Sequence, residues 1–528
     1  MKHVKIHFKG RGVESKNLYK TNPILDQDKE FSMDRWKVMV ERILEKKSLQ
    51  KIYFILESDF EVYPGQLEEL GRGLEKLRSH GKTLYCYAKS YELKELFIAS
   101  FCHHRIMPED GVIMHLGSSM KRNYYKGLLD RFGVKVDVYR RKEYKGAADS
   151  FRTSKMEKEQ REAYGLVLKR ILETLEETVV KNLALPDNFF QDLKEGKSLR
   201  MQEALDKNII TKIAYQEDLL RIWKIDKVKE EKIKVLEEAY GRGKKVGVLS
   251  FDGNIIDGES QKRGLMGPAI GDLSMVKEIE ALREDKKIHG VVFKVNSGGG
   301  SATASAEIYQ ALLKLKEKKP LVVVQTGVAG SGGYYISIPG SKIYTQRSTI
   351  TGSIGVITML FYLKTFLEDK GINHDGIEDG AYADLMSVWR KRDKNDEALI
   401  MKEIDHIYEG FKDKVAKERN FSKDEVEAVA KGRIWPGIDG INQGICDEIG
   451  GLDDALLYLK EVLGEEKLQV SFYPKKKENI LMRLIAGNAP GVEMESLQQL
   501  ATVKEEVKTL NGKTMMGDEN LLLSSFRI

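Results

Sequence analysis

The sequence repeats itself across its length. From Leu77 to Lys145 it matches a later stretch at a constant shift of 238 positions without a gap. Leu77, Ile98, Gly117, Tyr124, Lys126, Leu129, Gly133, Asp137 and Tyr144 fall on Leu315, Ile336, Gly355, Tyr362, Lys364, Leu367, Gly371, Asp375 and Tyr382. At 528 residues the chain is roughly twice the size at which one core stops growing, so each copy has room for its own. The expectation is two similar domains in tandem, 1–240 and 241–470, followed by a polar tail over 471–528 to which no function is assigned.

Within each copy, short apolar β-branched runs alternate with amphipathic segments, the pattern of strands buried on both faces of a parallel sheet. The second copy is clearer. It offers a strand at Val246–Phe251, a helix near Met275–Arg283, the strand GVVFKV, a helix from about Ala304 to Lys318 and the strand LVVVQT. The first offers KIYFIL, the helix LEELGRGLEKLRSH and TLYCYA. This order predicts right-handed crossovers and a layered α/β fold. Charged helical segments, Ser154 to Lys181 and Asp393 to Lys417, follow each copy and read as packing helices.

Composition narrows the function. Against 87 Lys and Arg stand 81 Asp and Glu in mixed-sign runs, so no basic stripe points to nucleic acid. Cys86, Cys102 and Cys446 are scattered, with no disulfide framework and no metal-ligand spacing, and no cofactor is called for. The amino terminus lacks the apolar core of a signal peptide, and no window approaches the ~18 apolar residues of a spanning helix. The expectation is a cytoplasmic protein or one peripherally attached to a membrane.

Two glycine clusters carry the chemistry. Gly327-Val328-Ala329-Gly330-Ser331-Gly332-Gly333-Tyr334-Tyr335 follows a buried strand and precedes a helix, placing a hydroxyl where glycines let substrate backbone approach and where the next amide can face an oxyanion. Asn296-Ser297-Gly298-Gly299-Gly300-Ser301 ends the preceding strand, so neighbouring strand ends bring the loops together. Neither is a hydrolase GxSxG elbow, a Walker A loop or a GxGxxG fingerprint. The competing account of each is a turn packed tightly for steric reasons.

A serine nucleophile needs a base. His374 and His406, the only downstream histidines, lie in charged segments that read as surface. A lysine can take the role where burial favours its neutral form. Under the repeat, Ser331 falls on Leu93, within YELKE, which has lost every glycine, while Lys145, in Tyr144-Lys145-Gly146-Ala147, falls on Ala383. Each half lacks what the other retains.

Taken together, EYKGA, FDGNIIDGE, KVNSGGGSATAS, GSGGYYIS, STITGSIGV, GRIWPG and GICDEIGGLDDAL resemble, in family order over roughly residues 40 to 465, the long SppA-type signal peptide peptidases of family S49. The resemblance implies two tandem domains of the fold shared with the Clp protease and crotonase groups. It also implies Ser331 as nucleophile, Lys145 as general base, Ser353 as the hydroxyl that holds the lysine, and an oxyanion hole from Gly332 with Gly299 or Gly300. An ATP-independent endopeptidase acting on cleaved signal peptides and other apolar or unfolded peptides, assembled as a homotetramer, is the expected whole. The chain departs from the family in lacking the proline of the usual SPGG, and the expectation is that it also lacks the amino-terminal membrane anchor that many members carry. The rival readings are a crotonase-like acyl-CoA enzyme, which needs no nucleophilic serine, and a catalytically inactive membrane-associated scaffold.

Overall fold

The computed structural model describes residues 2–16, 18, 30–222, 239–264 and 267–475, and the expected tail lies outside them beyond residue 475. The principal elements of the first half are β1 (Lys2–Phe8), α1 (Met33–Glu45), β2 (Leu49–Leu56), α2 (Pro64–Ser79), β3 (Thr83–Tyr87), α3 (Leu93–Ser100), β4 (His104–Met107), β5 (Lys135–Arg141), α4 (Lys158–Leu183) and β6 (Lys212–Ile213). Those of the second are β7 (Lys244–Asp252), α5 (Asp272–Glu284), β8 (Ile288–Ser297), α6 (Ala302–Lys318), β9 (Leu321–Gly330), α7 (Gly332–Tyr335), β10 (Lys342–Thr345), β11 (Ile350–Gly352), β12 (Val356–Tyr362), α8 (Lys394–Arg419), β13 (Ile434–Pro436), β14 (Glu448–Ile449), α9 (Leu452–Leu463) and β15 (Leu468–Tyr473).

Two parallel sheets result, as the alternation of apolar runs and helices requires. The first has the order β1-β2-β3-β4-β6, and the second repeats it as β7-β8-β9-β10-β14. β15 pairs parallel to the outer edge of β7, and an antiparallel strand at Ala239–Gly241 follows beyond it. Every residue of β9 is buried, the condition of a central strand covered on both faces. Local signals set the helix starts: Ser301 Oγ accepts from the Ala304 amide ahead of α6, and Asp393 accepts from the Asn395 and Asp396 amides ahead of α8.

The two copies part company where they meet. β5 and β12 form an antiparallel ribbon from Val356 opposite Arg141 to Tyr362 opposite Lys135. The gapless repeat would place β5 on 373–379 and β12 on 118–124, and neither stretch is a strand. The short helices Lys126–Arg131 and Lys364–Glu368 do keep the shift, so the ribbon strand follows this helix in the first half and precedes it in the second. A ribbon needs two strands running in opposite directions, and this asymmetric choice delivers the chain after Arg141 beside the chain before Val356.

The halves also share a core and a buried ionic seam. Val328, Ile350 and Ile434 of the second half pack into the first-half apolar cluster, and a Cβ on Gly65 of α2 would stand 2.1 Å from the Thr326 carbonyl. In the seam, Lys294 Nζ of β8 lies 2.6 Å from Glu14 and 2.8 Å from Asp34. Ser250 Oγ donates to Asp34 at 2.9 Å and Gln66 Nε2 to Glu14 at 2.8 Å. Burial works against the Lys294 charge, but Asp34 and Glu14 outweigh it and hold its pKa above the ordinary value. Burial pushes Asp34 up to about 6 even with the ammonium beside it.

Removing one partner of such a seam leaves charge without water or counter-ion. Lys294→Met is therefore expected to lower stability by about 3–5 kcal/mol. Combining it with Glu14→Gln and Asp34→Asn should recover part of that loss, read as the shift in urea midpoint across the mutant cycle.

Candidate active site

β9 ends at Gly330, and the backbone then turns sharply: Ser331 holds φ +53° and ψ −120°, rare for a residue with a Cβ. Its amide donates to the Gly352 carbonyl at 2.9 Å, and its carbonyl accepts from the Tyr335 amide at 2.9 Å, closing the first turn of α7. The following glycines are set by contact. A Cβ at Gly333 would lie 2.3 Å from the Ser297 carbonyl oxygen, and one at Gly332 would lie 2.5 Å from Ser305 Oγ and 3.2 Å from the Gly299 Cα. The two glycine clusters are thus adjacent, as their neighbouring strand ends imply.

The second cluster is fixed just as tightly. Gly299 and Gly300 have φ of +111° and +145°, and a Cβ at Gly300 would meet the Ile255 carbonyl at 2.1 Å. Ile255 brackets the loop, donating to the Gly299 carbonyl at 2.8 Å and accepting from the Ser301 amide at 2.9 Å. The Gly299 amide donates to Ser297 Oγ at 3.1 Å. No such bond engages the Gly300 amide among the described residues, and Gly300 is exposed. Asn296 ties this loop to β9, accepting from the Val328 amide and donating to Asp252, each at 2.9 Å.

Lys145 arrives from the other half. The ribbon ends at Arg141 opposite Val356, and four residues later the Lys145 side chain is 3% exposed. Its Nζ lies 2.8 Å from Ser331 Oγ, 3.0 Å from Ser353 Oγ and 3.1 Å from the Ser353 carbonyl. Ser353 also holds a positive φ, +52°, with its amide donating to the Arg433 carbonyl at 2.7 Å. Behind it a Cβ on Gly432 would stand 2.5 Å from the Lys145 Cβ, so only glycine lets the GRIW segment back the lysine.

The structure therefore brings together Ser331, Lys145, Ser353, Gly332, Gly299 and Gly300. It leaves His374 exposed, stacked on Trp389 with ring centroids 5.1 Å apart, and His406 exposed on α8. Ala383, which the repeat aligns with Lys145, is also exposed. The supports Asn296, Ile255, Gly432 and Arg433 escape a reading of the catalytic motifs. Their only sequence signal is that Asn296, Ile255 and the GRIWPG residues Gly432 and Arg433 belong to the ordered motif set. A hydroxyl and an amine at 2.8 Å have the reach for proton transfer. Among the described residues no group of three or more His, Cys, Asp or Glu side chains is placed to hold a metal, and no helix is long and apolar enough to cross a membrane.

Comparison with known proteins places this arrangement among peptidases. The model of Peptidase family S49 matches residues 76–229 and 313–465, one segment in each half. The chloroplastic serine protease SPPA of Arabidopsis thaliana is 28% identical over 416 residues, covering 75% of this chain and 61% of that protein. Protease 4 of Haemophilus influenzae is 26% identical over 486 residues, covering 86% and 78%. A protein of Enterococcus faecium, provisionally named a signal peptide peptidase SppA, is 35% identical over 239 residues, covering 44% and 68%. The chain thus spans less than two thirds of the Arabidopsis relative.

The steric account of the turn is open to test. Gly333→Ala must push its methyl into the Ser297 backbone, so a loss of about 1–3 kcal/mol is expected with displacement of Ser331. Melting temperature reads the first effect, and the rate of covalent labelling by a fluorophosphonate reads the second.

Proposed function

The chain belongs to peptidase family S49, and from that premise we propose that it is a serine endopeptidase whose Ser-Lys dyad is divided between the two halves. The observation that carries this reading is the 2.8 Å approach of Lys145 Nζ to Ser331 Oγ across 186 positions of sequence. Neutral Lys145 takes the Ser331 proton as Oγ attacks the peptide carbonyl, while the Ser353 hydroxyl and carbonyl aim Nζ at the nucleophile. The Gly332 amide and one from the Gly299-Gly300 loop receive the oxyanion, and the lysine ammonium then protonates the departing amine. Water, deprotonated by the same lysine, releases the acyl group.

Cleaved signal peptides and other apolar or unfolded segments are the substrates this reading favours, in keeping with the name carried by the Enterococcus relative. Assembly as a homotetramer and peripheral attachment to a membrane belong to the same proposal, as does the division at residues 240 and 470. A crotonase-like acyl-CoA reaction would use paired amides but leave the Ser331–Lys145 contact without purpose. An inactive scaffold would likewise have no use for it.

Three outcomes are expected. Incubating the protein with a synthetic signal peptide and denatured casein, with cuts mapped by mass spectrometry, should show internal cleavage that Ser331→Ala and Lys145→Ala each reduce by several orders of magnitude. Retention of a tenth of wild-type rate by Ser331→Ala would remove it as nucleophile. Residues 241–528 alone should not cleave, and refolding with residues 1–240 should restore some activity. Because the reactive form is the free amine, activity should rise toward alkaline pH, whereas a single limb near pH ~6.5 would indicate a histidine base.

A further inference from the structure

The loop that delivers Lys145 has little regular structure of its own. It leaves β5 at Arg141, passes through Lys142 at φ +62°, and reaches a single helical turn at Asp149–Arg152. One side chain from upstream makes three bonds to it. Arg122 donates from Nη1 to the Gly146 carbonyl at 2.7 Å, from Nη2 to the Ala147 carbonyl, and from Nε to Ser150 Oγ at 2.6 Å. All three nitrogens of the guanidinium are committed to the residues just after Lys145. The adjoining backbone is joined as well, the Tyr125 amide donating to the Ser150 carbonyl at 2.6 Å.

A second guanidinium grips the same loop from β5. Arg140 donates to the Lys145 carbonyl at 3.2 Å and pairs with Asp149 and Glu157. Tyr164 of α4, whose phenol burial pushes up to about 12, and Tyr124 stand beside Arg122, and Gln160 donates to Asp149. Arg140 thus shares its charge with two carboxylates, while Arg122 bonds two carbonyls, the Ser150 hydroxyl and the Tyr164 phenol. The repeat sharpens the assignment. The position equivalent to Arg122 is Leu360, in the half whose counterpart of Lys145 is Ala383. The arginine occurs only where there is a lysine to hold.

We propose that Arg122 is a positioning residue for the general base: by clamping the Gly146 and Ala147 carbonyls it keeps Lys145 Nζ within proton-transfer distance of Ser331. This rests on the reading of Lys145 as base. Without the clamp, two partly buried carbonyls lose their donor and the loop can relax, moving Nζ away from Oγ. A displacement of about 1 Å at a proton-transfer contact costs up to roughly 100-fold in rate. The Ser331 turn and the Gly299-Gly300 loop are not contacted by Arg122, so the loss is expected on the chemical step.

The test uses the full chain and two readouts, the pH-dependent rate of fluorophosphonate labelling at Ser331 and the kinetics of casein cleavage. Arg122→Ala should label roughly 10- to 100-fold more slowly, with kcat reduced, KM unchanged and the alkaline limb displaced. Added guanidinium should restore part of the rate, and Arg122→Lys, able to reach one carbonyl at a time, should fall between. Labelling by Arg122→Ala at the wild-type rate and pH profile would overturn the proposal. So would a loss that follows melting temperature in both variants, is not rescued by guanidinium and leaves the pH limb in place, since that is the signature of a structural role. Lys145→Ala measured alongside separates the two claims: if it labels normally, the dyad itself is wrong, and if it is inert while Arg122→Ala is normal, only the clamp is wrong.

Discussion

An ammonium buried between two carboxylates leaves a pair of domains little freedom in how they meet. Lys294 belongs to the second half, Glu14 and Asp34 to the first, and all three are sealed from water. Any slip of one half against the other would leave charges buried without partners, at a cost far above that of losing apolar contact. The ribbon of β5 and β12 adds directional hydrogen bonds to the same junction, and α2 abuts the end of β9. The proposed active site sits at this junction and inherits its register.

That inheritance explains how Ser331 and Lys145, 186 positions apart, can be held to hydrogen-bond precision. Ser331 is rigid because its strand is central and its turn is pinned by Ser297, Gly352 and Tyr335. Lys145 is rigid because Gly432 backs it, Ser353 receives it and arginines hold its carbonyl neighbours. Two non-glycine residues at positive φ, Ser331 and Ser353, face the same Lys145 Nζ. Each such conformation costs of order 1–3 kcal/mol and persists only where its surroundings over-determine it. The packing that supplies this support comes from both halves.

Duplication followed by complementary loss is the economical account of the sequence. In the proposed dyad one lysine lies beside one serine, and a second copy of either group has no part in it. Leu93 then completed an apolar cluster, and the loop around Ala383 became surface. The glycines went with the serine, since a leucine-bearing helix start makes no demand for close backbone approach.

The duplication, the layered parallel sheets, the strand-to-helix turn at Ser331 and the absence of a serine and of a lysine from opposite halves were all legible in the sequence, because each follows from local periodicity or from comparing the chain with itself. The resemblance named Lys145 and Ser353 as well. What no linear pattern carried was the swap in the ribbon, where a gapless repeat folds into strands on opposite sides of a short helix, and the contacts by which Arg122, Asn296 and Gly432 act as supports. The ribbon and Gly432 act across the junction of the halves, whereas Arg122 and Asn296 bind within one half, to residues 24 to 44 positions away in sequence. Contacts between residues far apart in sequence are chosen by the packing of whole elements, so only the tertiary structure decided them.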